Sequence, residues 1–303
     1  MDLIKEINNI VKNIDIDLGN SNYKALVNDK KIMDNSNVEE VETGTFGAYE
    51  INGRSYIFGE AARSKKNTNK ICIEKKALLG KVLYSFVEDG QEIDITTLLP
   101  LSLYISNENK EKYKDLLKGD YAVTNPNGYT KKFKVTNVEV CAEGFSSLVT
   151  DAKLLNQALY LVDVGGVDLS ATYVNRTPVV KQSFTSERGM NIFYSELGKV
   201  LTSKLLETYT DKDAELLFNK YDGLKDDLKE IIDIFATEYI ENHIYKPLAD
   251  IGYKSLIHKL VLVGGGAIAL QRYLAQDGNI TILPDALWSN VMGADIISKR
   301  RAK

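Results

Sequence analysis

The feature that most constrains this chain is a pattern that occurs twice. IDIDLGNSNYKA (14–25) and ALYLVDVGGVDLSATYVN (158–175) each read as an apolar or alternating strand, a carboxylate, a glycine turn and a returning strand. A strand that folds straight back through glycine brings backbone N–H groups close to whatever lies beyond the turn, because no Cβ intervenes. That is anion-binding geometry. The carboxylates, Asp17 and Asp163, would repel a phosphate unless a hard cation lay between them. Mg²⁺ is held in that way, by one or two carboxylates, its own waters and phosphate oxygens. Lys24 follows Asp17 closely enough to add a point charge on a phosphate.

A third cluster, VGGGA (263–267), follows the apolar run KLVL and opens a helical pattern. It reads as a close approach of backbone to a flat ring or ribose, or as a plain strand-to-helix turn. Strands and helices alternate elsewhere. ITTLLPLSLYI (95–105) reads as a buried strand, NENKEKYKDLLKG as a helix ending at Gly119, and Lys131 to Val140 as an alternating strand. Helical patterns run from about Asn191 to Thr208 and from about Asp213 to His243, with Pro247 stopping the second. A short strand at Thr281 to Leu283 and a helix near Asn290 to Lys299 follow. Residues 36–95, with an acidic patch at Glu39, Glu40 and Glu42, read as a small inserted subdomain. The basic run Arg63 to Lys76 reads as solvated surface, with contact to nucleic acid or an acidic partner as the alternative.

Composition narrows the function classes. A chain of 303 residues fits about two domains, and 44% hydrophobic with 26% charged residues is ordinary soluble usage. The net charge of −4 argues against direct DNA binding. Cys72 and Cys141 cannot build a disulfide framework, and with His243 and His258 they lack structural zinc spacing. A reducing, cytoplasmic setting is expected. No apolar run is long enough to span a membrane, and MDLIKEINNIVKN lacks the features of a signal peptide. Leu3, Ile4, Ile7, Ile10 and Val11 have helical spacing, and the cancelling charges around them favour a helix docked on the protein body over a lipid anchor.

The three motifs, in this order, resemble the actin, Hsp70 and sugar-kinase superfamily from Ile14 to about Ile297. Within it, VEVCAEG and the compact length most resemble ParM-like bacterial actins. The resemblance implies an α/β, actin-like ATPase fold: two lobes, each a mixed sheet flanked by helices, with nucleotide in the cleft between them. Lobe I would be 1–159, completed by the helix 289–303, and lobe II would be 160–288. Gly19, Asn20, Ser21, Asn22 and Lys24 would form the first phosphate loop, and Gly165, Gly166 and Val167 the second. Gly264, Gly265, Gly266 and Ala267, with Gly189 and Asn191, would hold adenosine. Asp17 and Asp163 would hold Mg²⁺ through water, and Glu143 would position the water that attacks the γ-phosphate. Val167 and Asp168 stand where relatives carry hydroxyl residues, so Asp168 would hold metal-bound water or cap its turn. SNVMG (289–293) resembles the second connecting segment, where the lobes of actins hinge.

The implied function is an ATP- or GTP-dependent filament of head-to-tail subunits. Such a filament hydrolyses its nucleotide and segregates plasmid or phage DNA through a DNA-binding adaptor on a centromere-like site. The alternatives are a small-molecule kinase of the same superfamily and a cytoskeletal or divisome scaffold. The cysteine-rich zinc motif of ROK-type sugar kinases is missing, and the string nearest the GADR motif of type III pantothenate kinases is GADI (293–296), in the final helical pattern.

Overall fold

The structure is a computed structural model and describes residues 13–63, 69–274 and 278–301. The expected N-terminal helix and the 64–68 part of the basic run lie outside the described residues. The chain divides into two compact units. One runs to Thr150 and takes in the chain again from Asn290, and the other is Asp151–Ser289.

The first unit is built on one nine-stranded sheet. Its strands are β1 (Asn13–Asp17), β2 (Asn22–Val27), β3 (Lys30–Asn35), β4 (Val38–Val41), β5 (Tyr49–Ile51), β6 (Arg54–Phe58), β7 (Glu92–Leu99), β8 (Gly119–Thr124) and β9 (Thr130–Ala142). Their order is β3-β2-β1-β7-β9-β8-β5-β6-β4. The stretch 36–95, expected as an inserted subdomain, supplies β4–β6, which extend the same sheet because β5 pairs with β8 at Ile51↔Val123.

The period of two in β1 sorts its side chains between the sheet faces. Ile14 and Ile16 join the core with Leu78 and Leu79 of helix Ile73–Tyr84 and Tyr113 of helix Asn107–Leu117. Asp15 and Asp17 alternate with them and are buried too. Burial lifts the Asp15 carboxyl to about 6, against hydrogen bonds from Thr96, Ser298 and Asn13. Ser298 belongs to helix Ser289–Arg301, so the returning segment covers the acidic face of β1. Leu98, Cys141, Ala294 and Ile297 form its apolar seam. The seam is so close that a Cβ on Gly293 would overlap the Ser146 carbonyl.

The second unit has β10 (Ala158–Val164), β11 (Leu169–Asn175), β12 (Thr177–Ser186), β13 (Lys259–Val263) and β14 (Ile280–Ile282), in the order β12-β11-β10-β13-β14. Phe193 of helix Met190–Leu205 anchors its core. Tyr194, Phe218, Phe235 and Tyr239 surround that ring at 5.4, 5.0, 5.2 and 5.1 Å between centroids. The long helical pattern after Asp213 differs from expectation. It is helix Asp211–Asn219, opened by a Thr210/Asp213 capping box, then a break and helix Asp226–Ile240. The latter runs on through a π-turn at Glu241–Tyr245 into Lys246–Asp250. Pro247 does not stop it, because the widened turn just before it accommodates a ring without an N–H.

Two carboxylate turns as candidate nucleotide-binding elements

Both units place their carboxylate turn at the same point of their topology. β1 is antiparallel to β2 and parallel to β7, and β10 is antiparallel to β11 and parallel to β13. Asp17 and Asp163 therefore lie at the carboxyl ends of strands with a hairpin on one side and a parallel neighbour on the other. Open α/β sheets bind ligands at that edge.

In the first unit the parallel run β1, β7, β9 brings Asp17 and Glu143 to one edge. Glu143 follows β9 directly, and its N–H donates to the Leu99 carbonyl at the end of β7 at 2.8 Å. Two strand spacings separate the carboxylates' backbones, about 10 Å, so they need a bridge to interact. Lys70 supplies it. Its Nζ lies 2.7 Å from Glu143 Oε1 and 3.9 Å from Asp17 Oδ1, and it donates to the Leu18 carbonyl at 3.2 Å. Lys70 is only 3% exposed. Burial alone would lower its ammonium, but the Glu143 and Asp17 carboxylates outweigh that and hold it above the ordinary lysine value. Asp17 Oδ1 is buried and takes no hydrogen bond. Lys24, the register partner of Asp17, lies 3.9 Å from the other oxygen.

The β1–β2 turn (18–21) is tight: a Cβ on Gly19 would overlap the Asn22 carbonyl. Its own carbonyl accepts from Lys75 Nζ at 2.8 Å. Burial, and then the neighbouring Lys70 charge, pull the Lys75 ammonium down to about 7. Asn20 lines a small recess with Ser36, Asn69 and Lys75. Ser21 takes the Ser36 N–H on its carbonyl at 2.9 Å, and Asn22 opens β2. Behind Glu143, the Gly144 N–H donates to Asn290 Oδ1 at 2.8 Å, which ties the catalytic candidate to the start of helix Ser289–Arg301.

In the second unit the Gly165–Asp168 turn is docked on the start of helix Met190–Leu205. The N–H groups of Met190, Asn191 and Gly189 donate to the carbonyls of Gly165, Gly166 and Val167 at 3.0, 2.7 and 2.9 Å. The loop thus caps helix donors that would otherwise lack partners. In a planar trans peptide the following N–H points opposite to the carbonyl, so those of Gly166, Val167 and Asp168 are turned away from the helix. Gly189 is the N-cap and Asn191 is in the first turn, and each holds the loop through its backbone N–H.

Gly264, at φ +87°, would put a Cβ 2.6 Å from Asp163 Oδ1. Gly265 faces Leu287 at 3.1 Å, and Gly266 faces Met190 at 2.9 Å and overlaps Val164. Packing inside the unit accounts for all three glycines, and Ala267 is fully buried beneath them.

Lys70 and Lys75 are the residues that reading the basic run as solvated surface missed. Both are buried and point at the first turn. The available signal was their interleaving with Ile71, Cys72 and Ile73, which a solvated run does not need. Among the described residues no group of three or more His, Cys, Asp or Glu could hold a metal ion by itself. The buried, hydrogen-bond-free oxygen of Asp17 fits a cation that brings most of its ligands as water and phosphate. Among the described residues no helix is long and apolar enough to cross a membrane.

Comparison with known proteins agrees with this architecture. Residues 16–145 match a family model described as actin like proteins N terminal domain. No curated protein matches the chain in sequence. Among solved structures it is similar to the actin-like protein Alp7A, with a TM-score of 0.79 at 17% identity over 96% of this chain and 98% of that one. It is also similar to Ta0583, an archaeal actin homologue solved in complex with ADP, with a TM-score of 0.74 at 18% identity over 96% and 100%. A ParM from Clostridium botulinum, solved as a 15-stranded filament, gives a TM-score of 0.70 at 18% identity over 96% and 99%. The chain has the fold of the ParM-like actin homologues, and its residues 16–145 are similar to the N-terminal domain of actin-like proteins.

Proposed function

We propose that the chain is a nucleotide-hydrolysing, filament-forming actin homologue in which the carboxylate turn of each unit takes part in binding the nucleotide. The observation that carries this reading is the Asp17–Lys70–Glu143 arrangement at the carboxyl edge of three parallel strands, beside a glycine turn. Asp17 and Asp163 would hold Mg²⁺ through its waters, and the ion, when bound, neutralises charge on the phosphates. The N–H groups of Gly166 and Val167, with the first turn and Lys24, would bind phosphate oxygens, while Gly189, Asn191 and the 264–267 turn would flank the nucleoside. Glu143 would accept a hydrogen bond from the attacking water and align it with the terminal phosphorus.

The ADP complex of the archaeal neighbour supports the nucleotide, and the filament of the clostridial neighbour supports self-assembly. Plasmid or phage DNA segregation through a DNA-binding adaptor follows from the ParM resemblance, and an acidic chain suits a role at one remove from DNA. A cytoplasmic location belongs to the same reading.

Light scattering and pelleting with Mg-ATP or Mg-GTP test it. Assembly on nucleotide addition, followed by phosphate release and disassembly, is expected. ADP production only when a metabolite is added, with no polymer, would replace the reading with a small-molecule kinase.

A further inference from the structure

We infer that Lys70 is a positioning residue that reports the terminal phosphate to Glu143; the inference rests on the nucleotide reading above. As the structure stands, the Lys70 ammonium occupies the Glu143 carboxylate at 2.7 Å and is shared with Asp17 and the Leu18 carbonyl. Glu143 held in that pair offers a water less electron density than a free carboxylate does. The pair is also costly to break without a replacement, because the ammonium is 3% exposed and would lose the nearer of its two carboxylates, keeping only Asp17 at 3.9 Å and the Leu18 carbonyl.

A terminal phosphate beside the first turn is such a replacement. It carries more charge than a carboxylate and presents several acceptor oxygens. The flexible four-carbon stem lets the ammonium swing from Glu143 to the phosphate while Asp17 and Leu18 remain beside it. The swing releases Glu143 Oε1 to accept from water only when a triphosphate is bound. A diphosphate has no terminal group to draw the lysine away, so the ion pair re-forms after hydrolysis. Lys75 remains as the fixed contact, holding the turn through the Gly19 carbonyl at 2.8 Å.

The test is equilibrium binding of Mg-ADP and of a non-hydrolysable Mg-ATP analogue to the wild-type chain, Lys70→Met and Lys70→Arg, with circular dichroism to verify folding. Lys70→Met should weaken the ATP analogue about tenfold or more and change ADP by less than about twofold. Lys70→Arg should recover part of the difference. An equal loss for both nucleotides, or no loss for either, overturns the inference and leaves Lys70 as a structural ion-pair partner. If Lys70→Met does not fold, Glu143→Gln decides. Removing the competing charge should raise the analogue's affinity relative to ADP severalfold, and an unchanged or reduced ratio overturns the inference. A wild-type chain that binds neither nucleotide would instead sink the proposed function.

Discussion

Gly189→Ala probes the docking of the second turn on its helix. Gly189 has φ −74°, open to any residue, so conformational freedom does not explain the glycine. Contact does. A Cβ would stand 2.6 Å from the Gly166 oxygen, 2.6 Å from the Val167 carbonyl carbon and 2.7 Å from the Gly165 oxygen, whereas ordinary contact is about 3.5 Å or more. The turn must retreat by roughly 1 Å, and the bonds donated by Gly189, Met190 and Asn191 at 2.9, 3.0 and 2.7 Å stretch together. At about 1 kcal/mol net each, their loss costs roughly 3 kcal/mol. For a unit of this size, calorimetry should show its melting fall by roughly 9 °C. Gly223→Ala, with nothing within 4 Å of its Cβ, serves as the control and should melt as the wild type does. If the turn also binds phosphate, nucleotide affinity should fall in parallel. Wild-type melting of Gly189→Ala would refute the docking.

Glu143→Ala should retain nucleotide binding and slow phosphate release about 100-fold, prolonging any polymer; unchanged turnover would remove Glu143 from the chemistry. Asp17→Ala should weaken the Mg²⁺ dependence of nucleotide affinity, measured by titration with and without the metal. Gly293→Ala should lower the melting temperature of the first unit more than any exposed substitution does, since its methyl would sit inside the Ser146 carbonyl. Lys75 titrates near 7 when folded and near 10.5 when unfolded. Between those values the unfolded chain binds a proton that the folded chain does not, so stability rises with pH across the window. Lys75→Met should flatten that rise in denaturant midpoints taken across it.

What could be read from the sequence was whatever repeats with the period of a strand or breaks at a glycine. β1 and β10 were legible because Ile14 and Ile16, or Leu159 to Val162, are bounded by an acid and a turn, and those local signals need no knowledge of neighbours. Pro247 misled because a proline's effect depends on the ladder of the turn before it, and a π-turn leaves no mark in residue identity. The lysines show the limit most clearly. A buried ammonium is stable only where carboxylates and carbonyls converge on it. Those facing Lys70 come from Asp17, Leu18 and Glu143, which are distant in sequence and meet only because β1, β7 and β9 run parallel. The turn motif could indicate Asp17, and the resemblance to ParM-like actins Glu143, one at a time. Their coupling is a property of strand order, so the group that links them had to be found in space, and it stood in a stretch whose composition resembles ordinary surface.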